Sequence, residues 1–271
     1  MPGRVVLLTG ASGLVGTWLR RTVPGDVDLV AVAHRTPVVS SASVTADLCD
    51  ASAVAEAVGR IRPSVIVHAA WRLDEPSIIE ATANVVAAAA SNGAEIVHIS
   101  TDVVFGGGQR PLDEGSRPDP VSDHGRWKAR AEKIVEQAPV RSCVVRLPLV
   151  ISLDPEDEST ERLRQGAATG RPTVWFRDEY RRPAMAADVA DGLWKITALP
   201  TERRSGVWHL AGPELLSRSE IAGRLVEAFG LDPASIVSAP TPTGLVRPRH
   251  LDMRSERARA EIGWDPSPIP A

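Results

Sequence analysis

The feature that most constrains this chain is a glycine-rich loop that directly follows an apolar run of strand length at residues 5–8. Gly10, Gly13 and Gly16 have the spacing G-x-x-G-x-x-G. In such a loop the first glycine permits a tight turn, the second lets the backbone approach a pyrophosphate, and the third lets the next helix pack close to the strand. The helix N-terminus offers free N–H groups and a partial positive charge to phosphates. The loop residues expected to contact a dinucleotide are Gly10, Ser12, Gly13, Leu14, Val15 and Gly16.

Apolar runs of strand length alternate with alanine-rich helical patterns over residues 1–150. Such alternation is typical of parallel βαβ units, and near-continuous apolar strands fit a sheet covered by helices on both faces. We therefore predict an α/β fold with a Rossmann-type doubly wound parallel sheet. The expected strands are 5–8, 29–33, 64–67, 95–99 and 142–147, and the expected helices include 51–60, 78–91 and 125–137.

The pattern loosens after Pro148. We expect an acidic loop that opens a helix at 154–161, a strand and loop around 173–180, helices at 186–197 and 218–229, and a strand at 206–210. The predicted organisation is a dinucleotide-binding domain of residues 1–150, to which residues 184–210 return. Residues 151–183 and 211–271 are expected to form a smaller C-terminal substrate lobe.

Charge and composition exclude several classes of function. The net charge is −3 and no basic stripe is present, which argues against a nucleic-acid partner. The apolar N-terminal run is too short for a signal peptide or a membrane span, so a cytoplasmic location without membrane contact is expected. Two isolated cysteines and six scattered histidines imply neither a disulfide framework nor a metal site.

The second predicted strand ends at Ala33 and is followed by His34 and Arg35. Enzymes that select NAD usually place an acidic residue here to bond the ribose 2′-hydroxyl, whereas an arginine favours the 2′-phosphate of NADP. The sequence therefore favours NADP(H) over NAD(H), with His34 and Arg35 among the contacts.

Several stretches of the chain together resemble an extended short-chain dehydrogenase/reductase. The most similar group is that of the dTDP-4-dehydrorhamnose reductases, which reduce a 4-keto sugar nucleotide with NAD(P)H. The resemblance implies that Asp47 and Leu48 contact adenine and that His68, Ala69 and Ala70 lie beside the cofactor. The stretches that carry it are residues 9–16, 46–48, 68–70, 99–106, 182–190, 206–212 and 247–248.

The catalytic motif departs from the family pattern. The family has a tyrosine proton donor and a lysine four residues later, and a serine or threonine that bonds the substrate oxygen. Thr101 and Lys128 match, but His124 stands at the tyrosine position. The resemblance implies that Lys128 also contacts the cofactor and holds the nicotinamide ribose. The single tyrosine, Tyr180, has no lysine four residues later, so the Tyr-x-x-x-Lys motif is absent.

Three interpretations of this departure stay open. His124 is the proton donor in the first, although Lys128 should lower its pKa. In the second, Tyr180 or a water held by Thr101 and His124 donates the proton. Ketone reduction is lost in the third, and the protein binds the nucleotide without turnover.

The resemblance also indicates substrate contacts, which are expected from Trp71, Val103, Tyr180, Arg182 and Arg247. No Asp-Glu pair follows Thr101, so dehydratase activity is not expected. The predicted function is NADPH-dependent reduction of a small carbonyl or imine in the biosynthesis of a modified sugar or secondary metabolite. The alternatives are a non-catalytic NADP-binding regulatory subunit and a cofactor-retaining epimerase or isomerase. A homodimer is a further expectation.

Overall fold

The computed structural model describes residues 3–38, 42–108 and 110–271. Thirteen strands and nine α-helices lie within these ranges. The strands are β1 (Arg4–Thr9), β2 (Val27–Ala33), β3 (Ser43–Thr45), β4 (Val65–His68), β5 (Glu95–Thr101), β6 (Ser142–Leu147), β7 (Val150–Ile151), β8 (Thr173–Phe176), β9 (Tyr180–Arg181), β10 (Ala184–Met185), β11 (Gly206–His209), β12 (Leu216–Ser217) and β13 (Ile236–Ala239). The helices are α1 (Leu14–Arg21), α2 (Ala51–Ile61), α3 (Glu75–Asn92), α4 (Asp123–Glu136), α5 (Glu158–Ala168), α6 (Ala186–Ala198), α7 (Thr201–Arg204), α8 (Arg218–Ala228) and α9 (Glu256–Ile262).

Seven strands form one parallel sheet in the order β11-β6-β5-β4-β1-β2-β3. The order reverses at β1 and β4, which is the switch point where open α/β sheets bind ligands. The predicted doubly wound Rossmann-type fold is confirmed. The predicted strands 5–8, 29–33, 64–67 and 95–99 are each longer or shifted by one or two residues, and the three-residue β3 lacked a predictive apolar run.

Helices cover both faces of this sheet. On one face α1 and α6 pack on alternate apolar residues of β1, β4, β5 and β6. On the other face α2 and α3 bury their apolar sides against the strand residues that point in the opposite direction. Val135 of α4 packs in the same cluster. This two-sided burial explains why the strands are almost continuously apolar.

Side-chain caps determine where several helices begin. Asp50 accepts hydrogen bonds from the first backbone N–H groups of α2, and Asp74 does so for α3. Ser122 caps α4, and Asp157 caps α5 within the acidic stretch 154–161. The cap at Ser122 matters for the site, because it places residue 124 in the first turn of α4.

The later part of the chain forms short strand pairs around a separate apolar cluster. β8 pairs with β13 and β9 pairs with β12. Trp175, Leu163 and Leu225 are buried in this cluster. β11 joins the main sheet beside β6. Trp264 and α9 also pack with the main sheet, so these residues of the segment 211–271 lie outside the smaller cluster. The division into two domains otherwise stays a proposal.

Within the described ranges, none of the helices combines the length and apolar character that a bilayer crossing requires.

Candidate active site

The glycine-rich loop connects β1 to α1 at the carboxyl edge of the sheet. Gly10 has a φ of +69°, a left-handed conformation that favours glycine. A side chain there would also collide with the backbone of Ala69, because its Cβ would lie 2.5 Å from the carbonyl carbon and oxygen. Gly13 is the N-cap of α1 and has no capping side chain, so the N–H groups at the helix start stay available for an anion.

A cavity of about 610 Å³ lies next to this loop. Its walls come from the loop, the end of β2, the turn after β3 and the segment that follows β4. The predicted contacts among its lining residues are Gly10, Ser12, Gly13, His34, Arg35, Asp47, Leu48, Ala69, Ala70 and Trp71. The structure thus brings the residues predicted to hold the adenosine half to one place.

Asp47 lies on the wall of this cavity. It accepts a hydrogen bond from the backbone N–H of Cys49, and its carboxylate is 3.6 Å from His34 Nε2. It is not the N-cap of α2, since Asp50 performs that role. Asp47 therefore lines the cavity without capping a helix, and its contact with adenine stays a prediction.

A second cavity of about 420 Å³ adjoins the first and shares Gly10, Gly13, Ala69 and Trp71 with it. Thr101, His124 and Lys128 line this second cavity, as do Leu147, Pro148 and Val150 after β6. The three predicted catalytic residues are therefore neighbours of one another and of the glycine-rich loop.

Close packing at Gly125 brings α4 to Thr101. A Cβ at this position would lie 2.2 Å from the backbone oxygen of Val103, in the short 3₁₀ turn that follows β5. Only a glycine allows the first turn of α4 to approach that closely. His124 directly precedes Gly125 on α4, and Lys128 follows it by three residues. Both side chains line the cavity that Thr101 also lines.

Lys128 is buried, and its Nζ donates to the backbone oxygen of Ile99 at 2.6 Å. Burial lowers the pKa of Lys128 from 10.5 to about 8, against the raising effect of the Glu132 carboxylate one turn further along α4. Its ammonium form therefore still predominates at neutral pH.

His124 lies with its ring stacked on Trp71 and is partly buried. Burial, and secondarily the charge of Lys128, lower the pKa of His124 from 6.5 to about 4. The lowering by Lys128 was expected from the sequence. A neutral ring at pH 7 is a poor acid, so the lowered pKa of His124 disfavours the interpretation in which an imidazolium donates the proton.

His68 and His98 face each other from neighbouring strands, with ring centroids 5.4 Å apart. His68 is 1% exposed and its ring nitrogens contact the hydroxyls of Thr9 and Thr82, at 2.8 and 3.2 Å. It therefore supports the end of β1 from below and does not line either cavity, and its place beside the cofactor stays a prediction. His98 is also buried in the core, and neither of its ring nitrogens has a hydrogen-bond partner among the described residues.

The predicted substrate residues are only partly brought together. Trp71 lines both cavities, and Val103 lies in the 3₁₀ turn beside Thr101. Tyr180, Arg182 and Arg247 are not among the described residues that line the cavity of Thr101. Their assignment as substrate contacts stays a prediction.

These three residues contact other parts of the chain after residue 178. The ring of Tyr180 packs beside that of His250, with centroids 5.3 Å apart. Arg182 is buried and donates to Asp252 at 2.5 Å and to the backbone of Pro213 at 2.6 Å. Arg247 is half-exposed and lies 3.0 Å from Glu179.

Several residues in or next to the two cavities were not predicted from the sequence, among them Thr36, Arg72, Ser77 and Ser100. Arg72 lines the adenosine cavity, one residue beyond the family-like stretch 68–70. Asp102 follows Thr101 and is 4% exposed. The signal for Asp102 was present in the stretch 99–106, which contains an acidic residue directly after a buried strand.

The switch-point cavities on a doubly wound parallel sheet define a nucleotide-binding protein of the extended short-chain dehydrogenase/reductase class. The chain belongs to the family described as RmlD substrate binding domain, whose match extends over residues 4–269. The predicted resemblance to the dTDP-4-dehydrorhamnose reductases is thereby confirmed. The histidine at residue 124 is a feature of this chain that the family match does not address.

Relatives and solved structures extend this likeness. The chain is 28% identical over 289 residues to methionine adenosyltransferase 2 subunit beta of Bos taurus, with 95% of this chain and 82% of that protein covered. It is 26% identical over 275 residues to the spore coat polysaccharide biosynthesis protein SpsK of Bacillus subtilis, covering 96% and 92%. A hypothetical dTDP-4-dehydrorhamnose reductase from Sulfolobus tokodaii superposes with a TM-score of 0.83 at 26% identity, covering 96% and 95%.

Proposed function

We propose that this protein is an NAD(P)-dependent reductase that acts on the carbonyl group of a sugar nucleotide or a similar small substrate. The observation that carries this proposal is the convergence of Thr101, His124 and Lys128 on one cavity beside the glycine-rich loop. The family relationship and the similarity to SpsK, whose name places it in polysaccharide biosynthesis, support a role in sugar metabolism.

The residues present fit a nicotinamide dinucleotide. The close approach at Gly10 shapes the loop, and the uncapped N-terminus of α1 offers N–H donors for a pyrophosphate. Arg35 and Arg72 line the cavity at the end of β2, where a 2′-phosphate would lie, and both are exposed. This pair of cations supports NADP(H) over NAD(H). A dTDP-4-dehydrorhamnose reductase from Bacillus anthracis was solved in complex with NADP, and its 21% identity supports the fold alone.

The cofactor, when bound, supplies a hydride. Thr101 orients the carbonyl oxygen, and His124 in its neutral form polarises that oxygen by donating from a ring N–H, as neutral imidazoles do at other enzyme sites. The Lys128 ammonium lies on the same wall and stabilises the negative charge that develops. Trp71 covers the cavity from the side of the segment after β4 and limits the access of water.

The direct test follows NADPH absorbance with purified protein and dTDP-4-dehydrorhamnose as the probe substrate. We expect NADPH loss stoichiometric with alcohol formation, and loss of turnover in Thr101→Val, with turnover retained in Thr101→Ser. No NADPH oxidation in the wild type with this and related 4-keto sugar nucleotides contradicts the proposal. Turnover of substrate without NADPH loss assigns the protein to the epimerase or isomerase class instead.

A second candidate function is that of a dinucleotide-binding regulatory subunit. The replacement of the family's tyrosine by His124 favours it, because this position then lacks the phenolic proton donor. Several relatives bear the name methionine adenosyltransferase 2 subunit beta. Size-exclusion chromatography with the methionine adenosyltransferase of the same organism, with and without NADPH, tests this candidate. Co-elution without turnover supports it, and separate elution contradicts it.

A further inference from the structure

Asp102 is a buried carboxyl group that directly follows Thr101, and Thr101 lines the second cavity. Asp102 begins the 3₁₀ turn after β5 and is 4% exposed. Its Oδ1 is 3.3 Å from Thr101 Oγ1. Its other oxygen, Oδ2, has no hydrogen-bond partner among the described residues. An ionised carboxylate has room for about four hydrogen bonds, so this environment satisfies the charged form poorly.

The nearest cation does not compensate for that deficit. Arg181 Nε lies 3.7 Å from Asp102 Oδ2, beyond hydrogen-bond distance. The guanidinium gives its stronger bonds elsewhere, to Glu179 at 2.8 Å and to the backbone oxygens of Tyr180 and Pro248 at 2.7 and 2.9 Å. The closer ion pair of Arg181 is therefore with Glu179, a carboxylate that Arg247 also contacts at 3.0 Å.

The remaining charged groups around Asp102 are Arg218, which favours its ionised form, and Glu179, which opposes it. Desolvation outweighs the combined effect of Arg181, Arg218 and the Thr101 hydroxyl. The pKa of Asp102 is raised, with burial as the main cause. This direction agrees with the hydrogen-bond deficit at Oδ2.

The hydroxyl of Thr101 links Asp102 to the cavity. A threonine hydroxyl has one proton to donate and two lone pairs to accept. The backbone N–H of Val103 occupies one lone pair at 3.3 Å. If Asp102 is ionised, it takes the single Thr101 proton and leaves nothing to donate to a substrate. If Asp102 is protonated, it donates to the second lone pair, and the Thr101 proton is free to point into the cavity.

We propose that Asp102 is held as a neutral carboxylic acid and supplies, through the Thr101 hydroxyl, the proton that the missing tyrosine would have provided. This inference rests on the proposed reductase function. As hydride reaches the carbonyl carbon, the C=O π electron pair moves to oxygen, which takes the Thr101 proton. Thr101 Oγ1 simultaneously takes the proton of Asp102, which becomes a carboxylate facing Arg181 and regains a proton from water after product release. Asp102 reaches substrate only through Thr101, so it is a positioning residue that also stores the proton.

The test is Asp102→Asn, because an asparagine N–H still donates to Thr101 but has no transferable proton. We expect kcat with NADPH and dTDP-4-dehydrorhamnose to fall by roughly 10²–10⁴, the usual contribution of a positioned acid, with KM unchanged. In the wild type, kcat should fall at rising pH as Asp102 loses its proton. This fall should be absent in the variant. Asp191→Asn, which changes an exposed carboxylate paired with Lys195 on α6, is the matched control and should behave as wild type.

A readout independent of turnover separates this inference from the proposed function. The infrared spectrum at neutral pH should contain a carboxylic-acid C=O band that disappears in Asp102→Asn and persists in Asp191→Asn. Absence of that band overturns the inference whatever the activity. Full activity with an unchanged pH profile in Asp102→Asn also overturns it and assigns the proton to water. If the wild type shows the band but does not oxidise NADPH, the proposed function fails, and the proton transfer fails with it.

Discussion

The imidazole of His124 lies nearly parallel to the indole of Trp71, with ring centroids 4.8 Å apart and planes inclined by 17°. Trp71 is 52% exposed, so half of the indole faces solvent while its other face covers the ring at the family's proton-donor position. The stack contributes to the burial that keeps His124 neutral, since aromatic contact removes water from the imidazole. Trp71, from the loop after β4, thereby influences the protonation of His124 on α4.

Removal of the indole should partly restore the basicity of His124. In Trp71→Ala we expect the pKa of His124 to rise from about 4 toward 6.5, because solvent then reaches the ring. Histidine NMR titration measures this directly, and the chain has only six histidines. Leu73→Ala, two residues further on and 72% exposed, is the matched control. An unchanged His124 titration in Trp71→Ala would show that the stack does not set its protonation.

A tyrosine at position 124 should add a second proton donor beside the Thr101 hydroxyl. His124→Tyr restores the tyrosine four residues before Lys128, and we expect kcat for NADPH-dependent reduction to rise by at least about 10-fold, within the range that positioned acids contribute. His124→Phe keeps an aromatic ring against Trp71 without a hydroxyl and serves as the control. Equal rates in the tyrosine and phenylalanine variants contradict a limiting proton donor at this position.

Lys128 offers a direct view of the site, because the chain has only three lysines. NMR of protein labelled with carbon-13 at the lysine Cε should resolve Lys128 as a group with a pKa of about 8, while the exposed Lys133 and Lys195 act as internal references. NADPH should raise the pKa of Lys128, since the bound phosphates and ribose favour the ammonium. By linkage, NADPH affinity falls as pH rises above about 8. A pH-independent affinity in this range contradicts a contact from Lys128.

Stability should decrease on acidification because of His209. Its Nδ1 is 2.8 Å from the Arg254 oxygen and its Nε2 is 3.5 Å from Arg146 Nη1, an arrangement that suits the neutral ring. Burial, with help from Arg146, lowers the pKa of His209 from 6.5 to about 3. The unfolded chain therefore binds a proton first as pH falls below 6.5, and stability is lost progressively toward pH 3 at roughly 1.4 kcal/mol per unit.

Urea unfolding midpoints across this pH range measure the effect. The pH dependence should be weaker in His209→Gln than in the wild type, although the variant is less stable at neutral pH. His34→Gln, which changes an exposed ring, should leave the slope unchanged. The same slope in His209→Gln and the wild type contradicts the assignment.

Cofactor selection should respond to Arg35. In Arg35→Asp we expect the Kd for NADPH to increase by roughly 10- to 100-fold, the loss of one or two charge-assisted hydrogen bonds to a phosphate. The Kd for NADH should fall or stay unchanged, because an aspartate there can bond the ribose hydroxyl. Arg60→Asp, an exposed charge reversal at the end of α2, is the control. Equal weakening of NADPH and NADH binding argues against a 2′-phosphate contact.

Local sequence patterns predicted the elements that depend on local physics. The helix expected at 125–137 is α4 (Asp123–Glu136), and the acidic stretch 154–161 contains the Asp157 cap of α5. Short strands such as β3 and β7 escaped prediction, because two or three residues carry too little periodicity. The motif that matched the family located Thr101, His124 and Lys128, and the structure brings all three to one cavity.

By itself, the sequence determined the glycine-rich loop, the parallel sheet and the absence of the tyrosine, since each depends on residue type and spacing along the chain. Only the tertiary structure decided how the remaining groups ionise. Burial lowers the pKa of His124, an indole from another segment stacks on its ring, and the shape of its pocket depends on Gly125 approaching Val103. Protonation is set by burial and by neighbours that are distant along the chain. The glycine-rich loop could therefore be predicted from the sequence. The electrostatic state of the residues around it could be determined only from the fold.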